Sequence, residues 1–269
     1  MILSVMHQTT YRFDRPVRSV IQSHRLRPAR FEGQRVIDWL VTVTGGIKGG
    51  GFRDGGGDWV QGWTVPGPVS EVSVTVAGTV ETADLAGILR GHRERLPPEV
   101  WLRKTPATRC NPAMAELAES TLPAGEGLDL AHALAAATAD AIVYAPGTTH
   151  AHSTAAEAMD QGSGVCQDHA QVLIGLARRR DMPSRYVTGY LHSDADGLVH
   201  EASHAWAELW VPDLGWVGFD AANRCCPDDR YIRIGSGFDA ADAAPIRGLA
   251  RGEAAESMDV VVAVEAQQQ

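Results

Sequence analysis

Residues 69–80, VSEVSVTVAGTV, set Val72, Val74 and Val76 against Ser73, Thr75 and Ala77. A period of two suits a strand with one buried face and does not suit a helix, which turns about 100° per residue. The run RVIDWLVTV, rich in β-branched and aromatic residues, leans the same way. Glycine clusters, GGIKGGG and DGGGDW, lie between these runs as turn signals. Residues 1–82 therefore read as several short strands building a small sandwich-like β-domain. No cluster of catalytic residue types stands out in them.

The pattern changes near RLPPEVW (95–101). NPAMAELAES, LDLAHALAAATADAIVYA and AAEAMD have helical composition, the first with Pro112 near its start. CQDHAQVLIGLARRR (166–180) is the strongest helix: Ala170, Leu173, Leu176 and Ala177 share a face. Asp168 in its first turn and Arg178, Arg179 and Arg180 in its last complement the helix dipole, and Pro183 ends it. Strands return in SRYVTGYL, HAWAELWV, GWVGFD, RYIRI and MDVVVAVEA. The fold class is α+β: a β-domain over 1–95, then helices packed on an antiparallel sheet over 96–269. The final AQQQ is expected to fray.

Composition excludes several function classes. The longest apolar candidate for a membrane span, residues 131–145, is interrupted by His132 and Asp140. The N-terminus lacks a basic leader and a small-residue cleavage site, so the expected location is cytoplasmic. In that compartment Cys110, Cys166, Cys225 and Cys226 are expected to be free thiols. Net charge is −9. It is uneven: residues 1–95 carry 12 basic and 9 acidic side chains, the remainder 12 and 24. Arg12, Arg15, Arg18, Arg25, Arg27, Arg30 and Arg35 crowd the first strands. Overall acidity argues against nucleic acid, and these arginines read as a solvated or interdomain face meeting the acidic half.

Chemistry concentrates in two places. Cys166 follows GSG and opens a helix, where the dipole favours a thiolate. VHEASHAW (199–206) admits two readings. As a helix it spells His-Glu-x-x-His: His200 and His204 grip zinc, Glu201 is the base, and the third ligand comes from Glu208, Asp213 or Asp220. As a strand, only His204 matters, as the base for a cysteine nucleophile. Alternation of Trp206, Glu208 and Trp210 favours the strand. A hairpin through VPDLG would then bring Asp220 beside His204. His150 and His152 make a pair without a third ligand, and DADG (194–197) lacks the spacing and closing glutamate of a calcium loop.

The stretches GVCQDHAQVLIGLARRRDMPSRYVTGYL and SHAWAELWVPDLGWVGFDAAN resemble the bacterial branch of the transglutaminase-like superfamily. So do IVYAPGTTHAHSTAAEAMDQGSGVC and the tail RYIRIGSGFDAADAAPIRGLARG, while HQTTYRFDRPVRSVIQSHRLRPAR resembles the β-domain preceding its catalytic core. The resemblance implies a papain-like cysteine site with Cys166 as nucleophile, His204 as base and Asp220 orienting it. It makes His200, Glu201 and His169 incidental. It implies no cofactor and no metal. Its expected partner is a peptide or amide-bearing substrate, with no nucleic acid and no membrane. Cys166 N–H is one expected oxyanion donor and Gln161 a second.

Three departures bear on the site. A threonine usual in the motif after Asp220 is absent, the sequence being Asp220, Ala221, Ala222, Asn223. Gly237 and Phe238 stand where Arg and Asp are usual, and Cys225 and Cys226 are adjacent. The expected activity is amide or isopeptide hydrolysis through a Cys166 acyl-enzyme. The alternatives are cross-linking by amine transfer, a non-catalytic scaffold on the same fold, and a zinc hydrolase.

Overall fold

The computed structural model describes residues 1–123, 125–192 and 203–267. Four strands come first: β1 (Ile2–His24), β2 (Gln34–Val43), β3 (Ile47–Arg53) and β4 (Trp59–Thr82). β1 and β4 pair antiparallel almost from end to end, with register shifts between Arg12 and Ser19. β2 pairs one half of β4 and β3 the other. The period-two valines behave as expected: Val72, Val74 and Val76 are buried. They form a core with Tyr11, Phe13, Val17, Val20 and Val65. Residues on both sides of the register shifts thus share one core, and the long sheet closes over itself.

Helices α1 (Pro112–Ser120), α2 (Leu128–Ala141), α3 (Ala155–Gln161) and α4 (Cys166–Arg179) follow. They pack on a second antiparallel sheet of order β10 (Tyr231–Gly237), β7 (Ser184–Leu191), β8 (Ser203–Val211), β9 (Gly215–Phe219). α4 is the central helix, its Val172, Leu173, Ile174 and Leu176 buried against Ala205, Ala207 and Leu209 of β8. Burial of a leucine-sized side chain stabilises by about 1.5–3 kcal/mol, so this interface anchors the first turn of α4 as well. β5 (Val143–Tyr144) and β6 (Ser163–Gly164) pair in parallel and deliver the chain to that turn. No helix among the described residues is long and apolar enough to cross a membrane.

The end of the chain departs from the expected division at residue 95. β11 (Ile246–Arg251) and β12 (Glu256–Ala266) leave the helical part and pair with β1, Ile246 opposite His24 and Ala266 opposite Leu3. The physical reason is the free edge of β1, whose unpaired N–H and C=O groups these strands satisfy. The first sheet therefore has six strands, two contributed by the last residues of the chain.

Several contacts join the sheets, among them the bonds of His7 to Tyr190 and of Gln34 to the Arg233 backbone. Leu3, Val5 and Val80 pack against Tyr190, Ile232 and Ile234. Asp58, from the turn before β4, reaches the second sheet, where it accepts from Arg233 Nη1 (2.8 Å) and from Ser236 N and Oγ (both 2.7 Å). Arg233 in turn meets Glu208 Oε1 at 2.8 Å, and Arg185 meets Glu208 Oε2 at 2.6 Å. Burial opposes the charge on Glu208, but Arg233 and Arg185 prevail and lower its pKa to about 2. The Asp58–Arg233 and Glu94–Arg185 ion pairs thus reverse the expected polarity, with the acid from the basic half and the arginine from the acidic one. Arg12 and Arg35 form exposed ion pairs within the first sheet, and Arg25 bonds Asp54 there at 3.0 Å.

Candidate active site

The chain enters α4 through a narrow turn. A Cβ on Gly164 would lie 2.6 Å from Asp168 Cβ, so only glycine lets the strand pass directly over the helix start. Asp168, fully buried, accepts from Val165 N (2.8 Å) and Thr149 Oγ1 (2.6 Å) through Oδ2. It satisfies one of the orphan N–H groups at the helix start and places a negative charge where the dipole favours it. Cys166 is the first residue of that helix. His169 spans the carbonyls of Val165 (2.9 Å) and Ile142 (3.1 Å), so its ring ties α4 to the end of α2.

β8 begins one residue before His204. From Ser203 onward the chain is strand, and residues 203–211 form no helix. His200 and Glu201 lie outside the described residues, as does DADG. Among the described residues no group of three or more His, Cys, Asp or Glu is placed to hold a metal ion. The β8–β9 hairpin, in register with Ala207 opposite Phe219, sets Asp220 at the foot of β8. His204 Nε2 donates to Asp220 Oδ2 at 2.6 Å. Cys166 acts on the same ring and favours its charged form. Sequence reasoning placed Cys166, His204 and Asp220 on three different elements, and the structure brings all three together.

Burial works against a charged His204. Hydrogen bonds and charge from Asp220 and Cys166 outweigh it and raise its pKa to about 10. Burial likewise opposes charge on Asp220, but the donors around it hold its carboxyl below the usual range. Asn223 Nδ2 donates to Oδ2 at 2.7 Å and the Tyr231 hydroxyl at 2.8 Å. Asn223 N adds a bond to Oδ1 at 3.2 Å. The support expected from the absent threonine is supplied by Tyr231, the first residue of β10. Sequence reasoning missed this residue, although the loss of one hydroxyl pointed to the next one downstream.

Gln161 is a correction. It ends α3 with its side chain exposed and its Nε2 donating to the Thr148 carbonyl at 3.0 Å, outside the cleft at Cys166. Gly162, left-handed at φ 66°, turns the chain before the residue can face the nucleophile. Gly237 is needed for packing, because a Cβ there would lie 2.4 Å from Ala243 N. All four cysteines are free.

The thiol and imidazole open on a cleft of about 450 Å³. Its lining includes Gln167, Tyr186, Tyr190 and Ala240, together with His7 and Met258 of the first sheet and Leu26 just after β1. The β-domain, which showed no catalytic cluster in sequence, thus contributes His7 and Leu26 to the cleft. His7 bonds the Tyr190 hydroxyl (2.8 Å) and Thr9 Oγ1 (2.9 Å), and burial lowers its pKa to about 4, leaving it neutral. The arrangement offers a thiol at a helix N-terminus, a charged imidazole and a buried carboxylate, the parts needed to attack a carbonyl carbon.

Comparison with known proteins gives these features a context. The family model described as Transglutaminase-like superfamily matches residues 115–221, and the Bacterial transglutaminase-like N-terminal region matches residues 3–81. An uncharacterized protein of Mycobacterium leprae is 30% identical over 274 residues, covering 97% of this chain and 98% of that protein. A Pseudomonas aeruginosa protein-glutamine gamma-glutamyltransferase is 32% identical over 75 residues, or 26% of this chain and 11% of that one. The crystal structure of a Cytophaga hutchinsonii protein, provisionally described as a cysteine protease, superposes with a TM-score of 0.72 at 22% identity. It covers 100% of this chain and 92% of that one, and the two share a fold. With both halves of the sequence matched and one relative aligned nearly end to end, the chain belongs to the transglutaminase-like superfamily.

Proposed function

We propose that this protein is a cysteine-nucleophile amide hydrolase acting on a peptide or other amide-bearing substrate. The observation that carries the reading is the buried line from Asp220 through His204 to Cys166, with 2.6 Å between His204 Nε2 and Asp220 Oδ2. Cys166 as thiolate attacks the amide carbonyl carbon, and the C=O electron pair moves to oxygen. The Cys166 N–H at the start of α4 donates to that oxyanion. The intermediate collapses, the C–N bond breaks, and His204 gives its proton to the leaving amine. Water then attacks the thioester while His204 takes its proton. The C–S bond breaks, releasing a carboxylic acid and restoring the Cys166 thiolate beside protonated His204. Asp220 stays ionised and fixes the ring.

Amine transfer is the second reading, favoured by the 75-residue likeness to a protein-glutamine gamma-glutamyltransferase. The two differ only in what resolves the thioester. The first experiment is alkylation by limiting iodoacetamide from pH 5 to 9 with mapping of all four cysteines. Burial raises the pKa of Cys110, Cys225 and Cys226, so Cys166 is expected to react first at pH 6, and no faster than Cys110 in His204→Gln. Equal labelling of Cys166 and Cys110 in the unaltered protein would remove the basis for a nucleophile. Peptide amides are then offered with and without a fluorescent primary amine. Ammonia or amine release without label incorporation, abolished in Cys166→Ala, identifies hydrolysis.

A further inference from the structure

An oxyanion held by one N–H is poorly stabilised, and hydrolases of this kind aim at least two donors at it. Tyr186 on β7 is 3% exposed and lies opposite Ala207, on the side of the sheet covered by α4. Its ring nevertheless reaches the cleft that Cys166 and His204 line. Its hydroxyl has no hydrogen-bond partner among the described residues and is not sealed from the cleft. The neighbouring tyrosines differ: Tyr190 is held by His7 at 2.8 Å and Tyr231 by Asp220 at 2.8 Å. On the same lining, Thr188 Oγ1 is engaged with the Gly235 and Ala243 carbonyls (3.4 and 3.3 Å), and Gln167 spends one Nε2 hydrogen on the Ala151 carbonyl (3.3 Å).

We propose that the Tyr186 hydroxyl is the second oxyanion donor, bonding the carbonyl oxygen of the substrate as it becomes negative on attack by Cys166. This rests on the thiol reading of the site given above. The phenol keeps its proton throughout, so no bond is broken at Tyr186. Burial first, then the negative charge of Cys166, Asp168 and Asp239, push its ionisation far to the alkaline side, so the donor proton is present at any working pH. A hydroxyl without a protein partner in the resting state gives nothing up when it bonds the oxyanion, which is what a preorganised donor requires.

The test compares two reactions of Cys166 in Tyr186→Phe. Acylation by p-nitrophenyl acetate passes through a charged tetrahedral intermediate; alkylation by iodoacetamide displaces iodide at a saturated carbon and forms none. Acylation is expected to slow by about 10- to 100-fold, alkylation by less than about twofold, with an unchanged melting temperature because no protein contact is removed. The acylation range sits at or below the usual cost of losing one oxyanion donor. Equal slowing of both reactions places the hydroxyl on the thiolate instead and overturns the proposal, as does an unchanged acylation rate. An unaltered protein in which Cys166 outpaces Cys110 with neither reagent overturns the thiol reading itself, a result distinct from any outcome in the variant.

Discussion

His204 and Asp220 stand on opposite arms of the β8–β9 hairpin with 2.6 Å between Nε2 and Oδ2, both almost wholly buried. The same carboxylate oxygen accepts from Asn223 and Tyr231. Three donors on one oxygen leave the carboxylate no freedom to rotate, and through it the imidazole is fixed facing Cys166. Asp220→Asn keeps the shape and removes the charge. His204 then loses the interactions that hold it protonated, and amide turnover is expected to fall by about 10²–10⁴-fold, as for loss of the orienting acid in other triads. Cys166 alkylation at pH 6 should slow in parallel; an undiminished alkylation rate would show that Asp220 does not control the pair.

The pair also leaves a signature in stability. His204 has an ordinary pKa of 6.5 and a native one of about 10. Its contribution is fully present below about pH 6.5 and disappears as pH rises through about 10. Asp220 is shifted the other way, so its contribution exists above the ordinary carboxylate range and is lost as pH falls through its lowered native value. The melting temperature of the unaltered protein should therefore exceed that of His204→Gln most between about pH 4.5 and 6.5. The gap should narrow steadily from pH 7 to 10. A gap that widens with pH contradicts the assigned shift.

Tyr231 and Asn223 are expected to share the work of holding Asp220. A hydrogen bond to a charged group contributes about 1.5–3 kcal/mol. Tyr231→Phe should cost within that range by urea denaturation, and it also frees Cys225, whose Sγ lies 3.3 Å from the same hydroxyl. Because both donors act on one oxygen, Asn223→Ala and Tyr231→Phe should be non-additive, with a coupling of about 0.5 kcal/mol or more. Strict additivity would mean that the two donors position Asp220 independently.

These residues differ in how far the sequence exposed them. α4 was legible because its apolar face, acidic first turn and basic last turn agree, and β8 because Trp206 and Glu208 alternate with small residues. Those two elements and one hairpin made Cys166, His204 and Asp220 candidates, and the resemblance to the transglutaminase-like superfamily selected them over the zinc reading. Partners at long range were not legible. IRGLAR, with Gly248 and Ala250, has no strand pattern of its own and becomes β11 only by pairing with β1 more than two hundred residues away. Tyr231 looks like an ordinary strand residue until the hairpin places Asp220 under it. His7 sits in a run that reads only as strand, yet the packing of the two sheets makes it a wall of the cleft. Gln161 lies near Cys166 in sequence, and the turn at Gly162 cancels that nearness.

The union of the two sheets yields a last prediction. Asp58 is the first sheet's charged contact with Arg233, and both are buried. Burial alone would make Asp58 a poor acid, but Arg233, Ser236 and Arg185 keep its pKa below the ordinary value. Removing one partner of a buried pair strands the other, at a cost of about 3–5 kcal/mol. Asp58→Ala should lose stability of that size in urea at pH 7, far more than Arg12→Ala, whose ion pairs are exposed and screened by solvent. A functional consequence follows, because His7 and Leu26 reach the cleft only while the sheets stay docked. A milder change, Asp58→Asn, retains part of the hydrogen bonding, and its effect on substrate should appear in KM more than in kcat. A normal KM together with the full loss of stability would separate the ion pair from the cleft and restrict it to holding the fold.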